Sequence, residues 1–368
     1  MRYLLYFLLL ISSFFACAQS NITHTIFQDT VQRSFLVHLP TGYQPGTPVS
    51  CVFVFHGSGA TAVQQQVYSK MDNVANANGF IVVYPSGINN TWLVGTTGTY
   101  ASTSRDVEFV NAIVDTITAL YSIKTDRIYA CGLSQGGYMS HRVACDLQDR
   151  FAAIASVAGG ISDSSSFYCS SGRNVPVLLI HGTDDPYVPY SWAERSSDFW
   201  IAKNGCGIVA DTFDLNNSNT TDNSTVQHII YSNCSNEVAV ELFRIDGGGH
   251  TWPGAAVNLP GYGATNHDIS ASAEIWKFFN RFTLNGTTVA TDKVVLQDIT
   301  IYPNPVQNVL KIDGISGDFD ISIFNNTGVL IRETANIHEL QVQDLRSGMY
   351  FIQLKSAQGQ WVQKFIKE

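Results

Sequence analysis

The sequence predicts an α/β fold: a mostly parallel sheet flanked by helices, followed by a small all-β sandwich. Three observations carry this. From residue 50 short apolar runs alternate with longer amphipathic ones, and after Phe282 the texture changes to short strand-like runs separated by turns. At 368 residues, with 21 Phe, 16 Tyr and 6 Trp, the chain is also long enough and aromatic enough to fill two cores.

In chain order, Arg2 precedes an apolar run from Leu4 to Phe15 that closes on Ala16-Cys17-Ala18, small residues at −3 and −1 of a cut before Gln19. Residues 1–18 therefore read as a signal peptide. The rival reading, a lipidated Cys17, is disfavoured by bulky Phe14 and Phe15 in front of it. No other stretch reaches about 18 consecutive apolar residues, so no stable membrane insertion of the mature chain is expected. Residues 24–27 and 34–39 form an opening antiparallel hairpin, and 50–55 a buried strand. Val67, Met71, Val74 and Asn78 recur at helical spacing until Gly79 ends that helix, and 80–84 is the next strand. Val107, Val110, Ile113 and Ile117 mark a helix, 127–131 a strand, 136–145 a helix, and 152–157 and 177–180 two more strands. A helix over 192–202, a strand over 238–245 and a last helix carrying Ile275, Phe278, Phe279 and Phe282 complete a catalytic domain over 19–282. Residues 283–296, rich in Asn, Thr and Gly at their start, are a linker. The tail, 297–368, has strands at 309–312, 321–324 and 350–354 with turns at Asn326-Thr327-Gly328 and Ser347-Gly348, a small β-sandwich.

Only 14% of residues are charged, against roughly 25% in average soluble proteins, a composition that fits an exported chain. The net charge of −9 and the lack of a Lys/Arg cluster exclude nucleic acid as a partner. With Cys17 removed, the remaining cysteines are even in number, so disulfides are expected. Cys206 with Cys234, which bracket a polar insertion, and Cys145 with Cys169 are the natural pairs. Cys51 and Cys131 lie in buried strands, where two small buried thiols and a bridge are equally acceptable.

The chemistry centres on Gly132-Leu133-Ser134-Gln135-Gly136, which follows a predicted strand and opens a predicted helix. That setting puts Ser134 in a strained turn whose flanks only glycine tolerates, and exposes its hydroxyl as a nucleophile. A serine hydroxyl needs a base in reach and an acid to fix the tautomer of that base. In this strand-turn-helix setting the order is Ser, acid, His. The 177–180 strand runs into His181-Gly182-Thr183-Asp184-Asp185, and parallel strands share their carboxyl ends, so the acid is Asp185, with adjacent Asp184 as its rival. The 238–245 strand runs into Asp246-Gly247-Gly248-Gly249-His250, which makes His250 the base; His267 is the other late candidate. Two backbone amides must receive the oxyanion. Gln135 supplies one and Ser58, in the turn His56-Gly57-Ser58-Gly59, the other; His56 itself is expected to hold the turn. Trp92 and Trp252 either line the mouth and stack on a ring of the substrate or pack the loops. No metal or organic cofactor is needed.

These residues resemble the polyhydroxybutyrate-depolymerase and feruloyl-esterase type of α/β-hydrolase, near carbohydrate esterase family 1. The matching pieces, spanning about 22–282, are Phe55-His56-Gly57, Tyr84-Pro85-Ser86-Gly87 with Trp92, Asp106-Val107-Glu108-Phe109, the serine turn, the Asp185 loop with Val188-Pro189-Tyr190, and Gly247-Gly248-Gly249-His250-Thr251-Trp252-Pro253-Gly254. The resemblance implies the triad Ser134, Asp185 and His250. Arg105 departs from it, standing where an aspartate is usual, which puts any role of that position in doubt. Tyr302-Pro303-Asn304-Pro305, Ser347-Gly348-Met349-Tyr350-Phe351 and the terminal Lys364-Phe365-Ile366-Lys367 resemble the C-terminal sorting domain of type IX secretion substrates. That implies export through the type IX machinery to the cell exterior and removal of the tail. The expected activity is hydrolysis of feruloyl or acetyl esters of polysaccharide, of hydroxybutyrate oligomers or of polyhydroxybutyrate. A serine peptidase of the same fold, or a non-catalytic carbohydrate-binding adhesin, is the alternative.

Overall fold

The computed structural model describes residues 20–28, 30–95, 104–169, 172–287, 299–315, 318–325, 329–356 and 359–368. The signal-peptide segment, residues 288–296 of the expected linker and the turn at Asn326 lie outside them. Two compact units divide between Thr288 and Val289.

The first unit opens with a hairpin, β1 (Ser20–Gln28) and β2 (Val31–Leu39). It continues with β3 (Val49–Phe55), α1 (Ala62–Ser69), α2 (Met71–Asn78), β4 (Ile81–Pro85), α3 (Arg105–Leu120), β5 (Ile123–Leu133), α4 (Gln135–Asp146) and β6 (Ala153–Val157). Then come α5 (Asp163–Tyr168), β7 (Val177–Gly182), α6 (Ser191–Asn204), β8 (Asp211–Asp214), β9 (Thr225–Tyr231), β10 (Val240–Asp246) and α7 (Ala271–Phe279). The ten strands form one sheet in the order β1-β2-β4-β3-β5-β6-β7-β10-β9-β8. Its centre, from β4 to β10, is parallel, and antiparallel strands close both edges.

The two-residue repeat of a strand explains the layers. In β3, Cys51, Phe53 and Phe55 point to one face, where α3, α4 and α6 bring Phe109, Val110, Met139, Val143 and Trp200. Val52 and Val54 point to the other, where α2 and α7 bring Met71, Ala75, Ile275, Phe278 and Phe279. With both faces covered, the central strands read as continuous apolar runs.

The structure corrects four expectations. The helix read through Val67 to Asn78 is two helices, because Lys70 adopts a left-handed conformation (φ 52°) between them. A Thr61/Gln64 capping box starts α1, its buried positions are Ala62, Gln65 and Ser69, and Val67 faces solvent. Phe282 lies beyond α7, in a short strand β11 (Phe282–Thr283) paired with β12 (Gly286–Thr287). Residues 283–287 thus belong to the first unit, with the Leu284 amide bonded to Asp126 O, and not to a linker. The polar insertion before Cys234 carries two strands, β8 and β9, which the sequence reading missed. The disulfides are Cys145–Cys169 and Cys206–Cys234, while Cys51 and Cys131 are buried free thiols.

The second unit contains a sheet of β13 (Thr300–Tyr302), β14 (Val309–Asp313) and β17 (Glu339–Gln341), and another of β15 (Phe319–Asn325), β16 (Leu330–Ala335), β18 (Gly348–Ser356) and β19 (Gly359–Lys367). Ile312 and Leu340 from the first sheet meet Ile321, Ile323, Ile352 and Phe365 from the second in one core, a sandwich.

Candidate active site

The site is assembled at the carboxyl edge of the central strands. Leu133 ends β5, Gln135 begins α4, and Ser134 between them has φ 56° and ψ −120°, a conformation that costs a non-glycine residue about 1–3 kcal/mol. Its neighbours must be bare. A Cβ on Gly132 would stand 2.5 Å from the Gly136 backbone, and one on Gly136 only 2.2 Å from Phe55 O. The elbow is therefore pressed against the end of β3, and the turn after β3 with it: a Cβ on Gly57 would meet Ser134 Cβ at 3.4 Å.

That turn holds Ser58, one of the two expected oxyanion donors, beside the elbow that carries the other, Gln135. His56 is fully buried; its Nε2 accepts from the Gly87 amide (3.0 Å), so its Nδ1 carries the proton and donates to Gly57 O (2.8 Å). Burial holds this imidazole below its ordinary pKa. It is a structural histidine. The Gly59 and Ala60 amides go to Asn90 O and Gly57 O. Among the described residues the Ser58 amide is given to no backbone carbonyl. The Gln135 amide heads α4, where no residue of the preceding turn can accept from it.

The expected acid and base, Asp185 and His250, are in contact. His250 Nδ1 lies 2.7 Å from Asp185 Oδ2, and because a carboxylate only accepts, the ring proton sits on Nδ1 and leaves Nε2 as the basic nitrogen. Asp185 Oδ1 accepts from the amides of Tyr187 and Val188, each at 2.8 Å, and Oδ2 is also 3.4 Å from His181 Nε2. Burial alone would raise this carboxyl. His181, His250 and the Val188 amide outweigh it and hold Asp185 well below the usual carboxylate range. Asp184 is exposed and among the described residues its side chain bonds Thr183, while His267 is exposed, so neither rival stands in the cluster. Asp185 is in electrostatic reach of the elbow helix: burial first, then its charge, push Tyr138, four residues after Ser134, up to about 12.

Both tryptophans are packing residues. Trp92 is 3% exposed and donates its indole N–H to His56 O (2.9 Å); Trp252 is 1% exposed and donates to Ser272 Oγ (3.1 Å). Of the two roles open for them, lining the mouth or packing the loops, their burial supports packing. The Gln135 side chain, not only its amide, is used: it bonds both the N–H and the carbonyl of Trp92 (3.0 and 3.1 Å). Asp106 binds the Leu93 amide (2.7 Å) and pairs with buried Arg33 (2.7 Å), while Arg105 contributes its carbonyl to Arg33. Sequence reasoning also missed His181, which the His-x-x-x-Asp spacing before Asp185 signals, and Tyr187 and Tyr262, whose rings lie 5.3 and 5.9 Å from that of His250.

A family model described as phospholipase/carboxylesterase matches residues 44–231, and one described as secretion system C-terminal sorting domain matches 300–368. The chain is 26% identical over 261 residues to a bifunctional acetylxylan esterase/xylanase of Neocallimastix patriciarum, a match covering 70% of this chain and 35% of that protein. It is 29% identical over 241 residues to feruloyl esterase B of Piromyces equi, covering 59% of this chain and 42% of that one. The chain thus spans less than half the length of these two relatives. Its fold is shared with an acetyl xylan esterase from Aspergillus awamori (TM-score 0.53, 16% identity, covering 63% of this chain and 94% of that one).

Proposed function

The chain belongs to the phospholipase/carboxylesterase family of α/β-hydrolases and carries a secretion sorting tail; from that premise we propose that it is a secreted serine carboxylesterase acting on acyl groups attached to polysaccharide. The observation that supports this most is the His250–Asp185 pair, buried and with its tautomer fixed, on the sheet edge that also carries the strained Ser134 elbow.

In the proposed reaction His250 Nε2 takes the Ser134 proton as the hydroxyl attacks the ester carbonyl, and Asp185 stabilises the imidazolium that forms. The Gln135 and Ser58 amides receive the negative oxygen. Collapse of the tetrahedral intermediate releases the alcohol, which takes its proton from His250, and leaves an acyl group on Ser134. Water, deprotonated by the same imidazole, then hydrolyses that acyl-enzyme. The names of the relatives, acetylxylan esterase and feruloyl esterase, favour acetyl and feruloyl esters over hydroxybutyrate polymer. The sorting tail marks the protein for export, where such polymers are met, and makes the type IX machinery its transport partner.

Purified protein should release acetate from acetylated xylan and ferulate from methyl ferulate, and leave aminoacyl p-nitroanilides intact. Cleavage of the anilides at comparable kcat/KM would make it a peptidase; clearing of a polyhydroxybutyrate film without turnover of either ester would replace the polysaccharide assignment.

A further inference from the structure

With the tryptophans buried, the aromatic surface beside the candidate base belongs to Tyr187 and Tyr262. Their rings lie 4.9 Å apart at 44° to one another, and both flank the His250 imidazole. Tyr187 is 58% exposed and Tyr262 is half-buried, so the two rings form an open surface beside the buried His250.

Both residues are referenced to the acid–base pair through their backbones. The Tyr187 amide donates to Asp185 Oδ1 (2.8 Å), the carboxylate whose other oxygen holds His250. The His250 amide donates to Tyr262 O (2.6 Å). These bonds fix both backbones relative to His250, so each ring is rooted beside the imidazole.

We infer that Tyr187 and Tyr262 form the alcohol-side subsite and that it receives a sugar ring of the polysaccharide to which the acyl group is attached. This rests on the esterase reading above. In ester hydrolysis the leaving oxygen takes its proton from His250, so the alcohol must stand beside that imidazole; the oxyanion donors lie on the other flank of Ser134, toward the end of β3. An open wall cannot enclose a small alcohol. It gains contact only from a flat ligand laid across it, and a pyranose or furanose ring has an apolar C–H face for the rings and a hydroxyl rim for the phenol groups. An aliphatic polyester has neither a flat ring to lay across the wall nor a hydroxyl rim, so it gains less from it.

The test compares kcat and KM of the full chain on feruloylated arabinoxylan oligosaccharide and on methyl ferulate, which share the acyl group and differ only in the alcohol. Tyr187→Ala should lose about tenfold in kcat/KM on the oligosaccharide, carried by KM, and at least fivefold less on the methyl ester. Tyr187→Phe, which keeps the ring, should recover most of that loss. Equal losses on the two substrates, carried by kcat, would show that the ring merely positions His250 and would overturn the subsite; no loss on either would do the same. Failure of the wild type to hydrolyse either ester would strike the esterase reading itself, and is seen before any variant is made.

Discussion

On the Trp92 flank of the elbow, the chain from Trp92 to Val94 is held by five side chains: Gln135 takes both backbone groups of Trp92, Asp106 and Arg142 take the Leu93 amide and carbonyl, and Ser162 and Ser165 take the Val94 carbonyl. On the His250 flank the loops are held through Asp185 and Tyr262, yet they present an exposed ring, Tyr187, and a half-buried one, Tyr262, instead of buried ones. Each flank carries aromatic residues next to a histidine, but their duties differ. Where the indole N–H is bonded inward and the ring is below 5% exposed, the aromatic braces the backbone of the turn after β3. Where the ring stays open while its backbone is tied to the His250–Asp185 pair, as at Tyr187, it is free to meet a ligand. Proximity to a histidine does not separate the two; exposure does.

Three sets of substitutions can break or sharpen this contrast, and the reacting groups come first. Ser134→Ala and His250→Ala should each lower kcat for ester hydrolysis by about 10⁴-fold or more, with circular dichroism unchanged. Asp185→Asn should cost about 10³–10⁴-fold, because an amide neither fixes the Nδ1 tautomer nor stabilises the imidazolium, whereas Asp184→Asn should stay within about threefold. A reversed order of the two aspartates would mean that His250 turns to the other carboxylate in solution. Next come the buried aromatics. Trp92→Ala and Trp252→Ala should lower unfolding free energy by about 3–5 kcal/mol in urea titrations, and should depress turnover of oligosaccharide and methyl esters in equal proportion. A substrate-dependent loss at Trp92 would erase the distinction between the flanks. The smallest effect, and the selective one, is that of Tyr187→Ala described above.

The layered fold was legible because the parallel strands are apolar on both faces and alternate with helical spacing, as β3 and α3 illustrate. Legibility failed where burial is done by small or polar residues. Gln65 and Ser69 line the core face of α1, so the apolar spacing that included exposed Val67 pointed along the wrong stripe. The edge strands β8 and β9 went unread for a related reason: Asp211–Asp214 is exposed throughout, and Thr225–Tyr231 has Gln and His among its apolar positions. At the site, chain order and strand ends pointed to Ser134, Asp185 and His250, of which the structure pairs the last two at 2.7 Å and sets the first in a strained turn; Asp185 was ranked over Asp184 only by pattern. What spacing does not carry is which way a large side chain turns. Trp92 and Trp252 sit in motif loops, and nothing in their sequence neighbourhood tells that Ser272 and His56 O wait inside for their N–H groups. Tyr187 and Tyr262, 75 positions apart in the chain, come together only through the loops of β7 and β10.

The central claim, that Ser134 is a nucleophile activated by the His250–Asp185 pair, is tested most directly by treating the full chain with a fluorophosphonate and locating the adduct by peptide mass spectrometry. A single adduct on Ser134, absent in Ser134→Ala and formed at least about 100-fold more slowly in His250→Ala, is the predicted result. An adduct on another residue, no adduct, or labelling whose rate is the same in His250→Ala as in the wild type would contradict it.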